Sequence, residues 1–268
     1  MIRLIASDLD GTLVNSDGKI NEKMFHLINT LDEKGIKFAA ASGRFYYQLN
    51  KNFEKVNHDM LFIAHNGALV KYNKNGKTVY SNCISKENIK KVIDLKREFG
   101  EEIFLASDNT AYIENPTDDM MDKFKFFNVP AVVVKSFDEV KVPIYKITYY
   151  VSDDVKPEIV EYLKENLSDE LEFVVSGDKW IDIMNKGVSK GHAIAMLQKK
   201  FNIDRKNTMV FGDYYNDLTM FKTAHYSYAM KNAPDDVKEH ANFIAESNND
   251  NGVYKVINEL CIKEQKMA

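Results

Sequence analysis

The sequence predicts an α/β protein: a Rossmann-like, doubly wound parallel sheet with an α+β domain inserted into it. Three observations lead there. Short apolar runs alternate with helical patterns over residues 1–81 and again over 189–268. Between them, over 82–188, the pattern changes to alternating strands with few helices. Acidic clusters also stand where two of the apolar runs stop, Asp8 and Asp10 behind Ile2–Ser7 and Asp213 behind Thr208–Phe211. Strands separated by helices join as right-handed βαβ units, which build parallel sheets.

Taken in order, Ile2–Ser7 reads as a buried strand. Asn21–Lys34 carries Met24, Leu27, Ile28 and Leu31 at helical spacing, with Asn21 as N-cap and Gly35 as the stop. Ile36–Ala41 is the second strand, ending at Ser42-Gly43-Arg44, and a helix runs on to Phe53. Met60–Ala64 is the third, ending at His65-Asn66-Gly67. In the insert, Lys86–Phe99 and Pro157–Leu167 are helices, and Ile103–Ile113, Ala131–Val134, Ile144–Val151 and Leu171–Met184 are strands of an antiparallel sheet. The βα rhythm then resumes. Helices are predicted at Lys190–Phe201, Asn216–Thr223, Pro234–His240 and Gly252–Cys261. Strands are predicted at Thr208–Phe211, His225–Ala229 and Asn242–Ala245.

The 268 residues are 44% hydrophobic and 28% charged, enough apolar material for a sizeable core. A formal net charge of −4 argues against general nucleic-acid binding. No apolar run approaches a membrane span, and no signal peptide is expected. Cys83 and Cys261 have no metal-binding spacing and are expected as reduced thiols of a cytoplasmic protein.

Ligands of doubly wound sheets bind beyond the carboxyl ends of the strands. Asp8, Ser42, Asn66 and Asp213 all fall at predicted strand ends, so one site is expected there. Oxygen donors from Asp8, Asp10 and Asp213 suit Mg²⁺, which prefers few protein ligands and is often completed by a phosphate. Bare carboxylates repel a phosphate dianion, so hydroxyl and ammonium donors are needed; Ser42 and Lys190 can supply them. A carboxylate in line with phosphorus can act as nucleophile, and a second can move the proton.

On these residues the chain resembles the Cof-type phosphatases of the haloacid dehalogenase superfamily, with a type IIB cap. The motifs stand in order: Asp8-Leu9-Asp10-Gly11-Thr12, Ser42-Gly43-Arg44, Lys190-Gly191, and Gly212-Asp213 through Asn216-Asp217. Minor signatures include Asn66-Gly67-Ala68, Asn232-Ala233 and Asn248 with Gly252-Val253. The resemblance implies a hydrolase core of residues 1–81 and 189–268 and a specificity cap of 82–188. It implies that Asp8 is the nucleophile and an Mg²⁺ ligand. Asp10 would be the general acid/base, binding the ion through its backbone carbonyl, with Asp213 as third ligand and Asp217 orienting metal waters or Lys190. Ser42, Gly43, Arg44, Lys190 and Asn216 would hold the phosphoryl group of a small phosphorylated metabolite. Lys231 and Asn251 depart from the pattern, standing where many members have glycine and aspartate.

Simpler roles compete. Aspartates at strand ends form turns, Ser42 can cap a helix, and Arg44 fits a structural ion pair as well as a substrate contact. Asn66-Gly67 divides evenly between a plain turn and a pocket wall. Asp182 and Asn185 are weak candidates for reading the leaving group. A phosphomutase and a non-catalytic phosphometabolite-binding protein are the alternative functions. An intact nucleophile, acid and lysine set speaks against the second.

Overall fold

The computed structural model describes residues 1–97 and 100–263. In chain order the elements open with β1 (Leu4–Ser7), α1 (Glu22–Glu33), β2 (Lys37–Ala41), α2 (Tyr46–Asn52), β3 (Leu61–Ala64), β4 (Leu69–Tyr72) and β5 (Thr78–Ser81). There follow α3 (Lys86–Ile93), β6 (Glu102–Ala106), β7 (Ala111–Glu114), α4 (Asp118–Phe126), β8 (Ala131–Val134), β9 (Lys146–Tyr150), α5 (Pro157–Asn166), β10 (Leu171–Gly177) and β11 (Trp180–Asn185). The chain closes with α6 (Lys190–Phe201), β12 (Thr208–Gly212), α7 (Leu218–Phe221), β13 (Tyr226–Met230), α8 (Asp235–Lys238), β14 (Phe243–Ala245) and α9 (Gly252–Ile257). It divides into two compact units, 1–44 with 49–80 and 189–268, and 45–48 with 81–188.

The first unit is built on a sheet ordered β14-β13-β12-β1-β2-β3-β4-β5. From β14 to β3 every pair is parallel, and β4 returns antiparallel to β3. The central strands are apolar on both faces because helices cover both. On one face Leu4, Ala6, Ala39, Ala41 and Val210 pack against Ala193, Ile194 and Leu197 of α6 and Met220 and Phe221 of α7. α1 presents Met24, Leu27, Ile28 and Leu31 inward; its Asn21 cap accepts from the Lys23 amide, and Gly35 takes a positive φ at its end. Strand order reverses between β1 and β12, so their carboxyl ends flank the switch point where such sheets bind ligands.

The second unit carries a sheet ordered β10-β11-β9-β6-β7-β8, antiparallel except for β7 with β8. Ile103, Leu105, Ile147, Tyr149, Ile181 and Ile183 form one apolar layer with residues of α3 and α5. Phe45 belongs to a second cluster there with Phe104, Phe124 and Tyr150, which accounts for residues 45–48 joining this unit.

Several expectations change. Ile103–Ile113 and Leu171–Met184 are not single strands but hairpins that turn at 107–110 and 178–179. The polar pairs Asp108-Asn109 and Asp178-Lys179 break the apolar runs there. The helix starting at Lys86 ends at Ile93; Phe99 lies outside the described residues. β4, β5 and α4 were not expected. α4 hides in a charged stretch but has the signature of a helix start, Thr117 accepting from the Met120 amide.

Candidate active site

Asp8 follows β1 directly, and its amide donates to the Phe211 carbonyl (2.9 Å), which extends the β1–β12 ladder by one step. Register therefore sets Asp8 beside the end of β12, where Asp213 begins. The chain then turns at Gly11, whose φ is +78°. A side chain there would run into the Asp213 carboxylate, so glycine lets the two acidic loops close on each other. Thr12 Oγ1 donates to Asp213 Oδ1 at 2.7 Å and fixes that carboxylate.

Lys190 opens α6 with its ammonium almost wholly buried. It donates to Asp8 Oδ1 (2.5 Å) and Asp217 Oδ1 (2.7 Å). The second Asp217 oxygen accepts from the Asp213 and Tyr214 amides at 2.9 and 3.1 Å. One carboxylate thus holds both the lysine and the loop that carries Asp213. α6 can bring its first turn this close because residue 191 is glycine: a side chain there would collide with the Thr219 carbonyl.

Oxygens of Asp8, Asp213 and Asp217 lie within 4.8 Å of one another. Burial pushes the Asp8 carboxyl well above the usual carboxylate range; Lys190 opposes this, while Asp217, Asp213 and Asp10 add to it. Burial also raises Asp213, to about 6, with Asp217 adding to the rise and Thr12 opposing it. For Lys190, burial works against the charge, yet Asp217 and Asp8 hold it above the ordinary lysine value. One ammonium faces three carboxylates, so the cluster has room for further positive charge. Clustered oxygens with a charge deficit suit a hard divalent cation.

Of the expected ligand set, Asp8 and Asp213 come together through their carboxylates. Asp10 turns its carboxylate away to Arg44, and Asp217 stands in the cluster instead. The part expected of Asp10, its backbone carbonyl, is unaffected by that turn. Ser42 is buried at the end of β2, where its hydroxyl accepts from the Arg44 amide (3.2 Å) and its carbonyl from the Asn66 amide (3.0 Å). Gly43 lies against the Asn66 side chain. Asn66, at φ +55°, meets Asn216 at 3.4 Å. Asn66 therefore stands beside the site residues, more than a plain turn would require.

The minor asparagines acquire a physical role. Asn232 donates to the Gly11 carbonyl (2.8 Å) and Asn248 to the Val14 carbonyl (2.9 Å), so both brace the loop that follows Asp8. Asn185 ties the chain at 82–83, donating to Asn82 Oδ1 and the Cys83 carbonyl. Asp182 is buried with Lys146 (3.1 Å) and Thr148 (2.9 Å) inside the second unit. That unit also holds a cavity of about 620 Å³ between α3 and residues 136–144, lined by none of the acids described above.

The profile of the haloacid dehalogenase-like hydrolases matches residues 5–257. A 5-amino-6-(5-phospho-D-ribitylamino)uracil phosphatase, YbjI of Escherichia coli (strain K12), is 33% identical, with 97% of this chain and 96% of that protein covered. YcsE of Bacillus subtilis (strain 168), named for the same activity, is 28% identical over 96% of this chain and 94% of its own. Among solved structures, SMU.1108c from Streptococcus mutans UA159 superposes with a TM-score of 0.86 at 31% identity, covering 97% of this chain and 98% of that one. The chain belongs to the haloacid dehalogenase-like hydrolase family. Both of these curated relatives, YbjI and YcsE, are named as phosphatases. Among the described residues, no helix is long and apolar enough to cross a membrane.

Proposed function

We propose that the protein is a Mg²⁺-dependent phosphomonoesterase that hydrolyses small phosphorylated metabolites through an aspartyl-phosphate on Asp8. One observation carries the reading: the Asp8 carboxylate, buried at the sheet's switch point, is held by Lys190 at 2.5 Å beside Asp213 and Asp217. A structural ion pair would need only one carboxylate per lysine. A surplus of buried acid is explained by a divalent cation, which also lets a phosphoryl group approach.

Asp8, Asp213 and the Asp10 carbonyl would hold the ion, with Asp217 behind them. When bound, it neutralises the phosphoryl oxygens. An Asp8 oxygen attacks phosphorus, the bond from phosphorus to the ester oxygen breaks, and Asp10 gives that oxygen its proton. Asp10 then takes a proton from water as the water oxygen attacks phosphorus, which releases Asp8 and inorganic phosphate. Lys190 keeps the nucleophile placed, and Ser42 offers its hydroxyl to the transferring group. We assign choice of the leaving group to the second unit and the workplace to the cytoplasm, consistent with Cys83 and Cys261 being thiols.

Two similar proteins are named for 5-amino-6-(5-phospho-D-ribitylamino)uracil, so this is the first substrate to test. The test is Mg²⁺-dependent release of inorganic phosphate from p-nitrophenyl phosphate and from that compound. Stoichiometric free phosphate supports a hydrolase; retention of the phosphoryl group on product points to a phosphomutase. Near-normal release by Asp8→Asn overturns the covalent route.

A further inference from the structure

The acid assigned to proton transfer is not poised to transfer one. Both Asp10 oxygens accept from a single guanidinium: Arg44 Nη2 to Oδ1 at 2.5 Å and Nε to Oδ2 at 2.9 Å. The third arm, Nη1, donates to Asn52 Oδ1 at 3.1 Å. The Arg44 main chain is pinned as well, its amide to Ser42 Oγ and its carbonyl to the His65 amide. Asp10 is the more exposed partner, its side chain 59% accessible against 29% for Arg44. The arginine is thus the fixed half of the pair and the aspartate the movable half.

A carboxyl that protonates a leaving oxygen must point one oxygen, carrying a proton, at that atom. In the fork pairing both oxygens face N–H donors. The planar fork that fits a carboxylate fits a phosphate equally well. The geometry points to an exchange: the phosphate dianion of the substrate takes over the Arg44 fork and thereby releases Asp10 for proton transfer. Arg44 serves two anions in turn, holding the acid aside in the empty site and anchoring phosphate in the filled one. This rests on the hydrolase reading above. It goes beyond a phosphate-binding role by coupling that contact to the availability of Asp10.

A binding cycle tests it without turnover. Inorganic phosphate is titrated calorimetrically, with Mg²⁺ present, into wild type, Asp10→Asn, Arg44→Gln and the double variant. Arg44→Gln should weaken phosphate by roughly ten- to a hundredfold, the scale of a charge-assisted pair. Asp10→Asn should tighten it, because the fork no longer has to be vacated. That gain should vanish in the Arg44→Gln background. An equal gain in both backgrounds is simple charge removal; it overturns the exchange and leaves the hydrolase reading standing. Unchanged phosphate affinity in Arg44→Gln overturns it too. Failure of wild type to bind phosphate overturns both readings. Arg44→Lys keeps the charge but lacks the fork, so it should fold as wild type and fall between the two affinities. In steady state Arg44→Gln should raise KM more than it lowers kcat; the reverse split counts against the anchor.

Discussion

At the scale of single residues, Asp8 and Lys190 carry the sharpest consequences. Asp8→Asn keeps shape and removes the proposed nucleophile. Phosphate release should fall by at least about a thousandfold, the scale of losing a group bonded in the reaction, while the melting temperature holds or rises. The rise is expected because burial and neighbouring acids disfavour the Asp8 charge. Lys190→Met has the opposite sign. It leaves Asp8 and Asp217 buried without their shared cation, which should cost about 3–5 kcal/mol in urea unfolding. A variant as stable as wild type would show that the three groups are not a compensated set.

At the scale of elements, the loop from Asp8 to Val14 is held from outside itself. Thr12 grips Asp213, Asn232 grips the Gly11 carbonyl and Asn248 the Val14 carbonyl. Asn248→Ala should lower stability by about 1 kcal/mol, the net worth of one such bond, with a modest drop in kcat. Gly11→Ala should be far worse for turnover, since it strains a φ of +78° and intrudes on Asp213. Phosphate release and thermal melting of the pair check the ranking; equal activities would contradict it. Asn251 shows how a departure from the family pattern is absorbed. It sits at φ +58°, a conformation asparagine tolerates, and accepts from the Asn21 side chain.

At the scale of the molecule, the proposed cation site would tie folding to cation and pH. Asp213 titrates near 6 in the folded protein against 3.8 for a free aspartate, so the folded state takes up more protons between those values. Without a cation, stability should therefore fall as pH rises from about 4 to about 6. The proposed Mg²⁺ would bind the deprotonated carboxylates, so its stabilisation should grow over the same window. At a hundred times Kd it should add about 2.7 kcal/mol near neutral pH. Differential scanning at pH 5 and pH 7.5, with EDTA or Mg²⁺, reads this directly. An Mg²⁺ shift as large at pH 5 as at 7.5 would refute the linkage.

Sequence alone was enough for the parallel sheet, for the insert, and for the acids at the strand ends. Each of these is written locally: apolar runs of strand length, helical spacing in α1 and α6, and glycine beside aspartate at Gly11 and Gly212. β4, β5 and α4 escaped because their signals are short or mixed with charge. The hairpins escaped because two-residue polar breaks are easily read through. Only the tertiary structure decided which carboxylates share space. Asp10 stands two residues from Asp8 in sequence, yet the fold turns its carboxylate to Arg44, while Lys190 and Asp217 close on Asp8 from the far end of the chain. The physical reason is that local pattern sets where a chain turns, whereas the partner a side chain meets after the turn depends on strand order and helix approach, which join residues far apart along the chain.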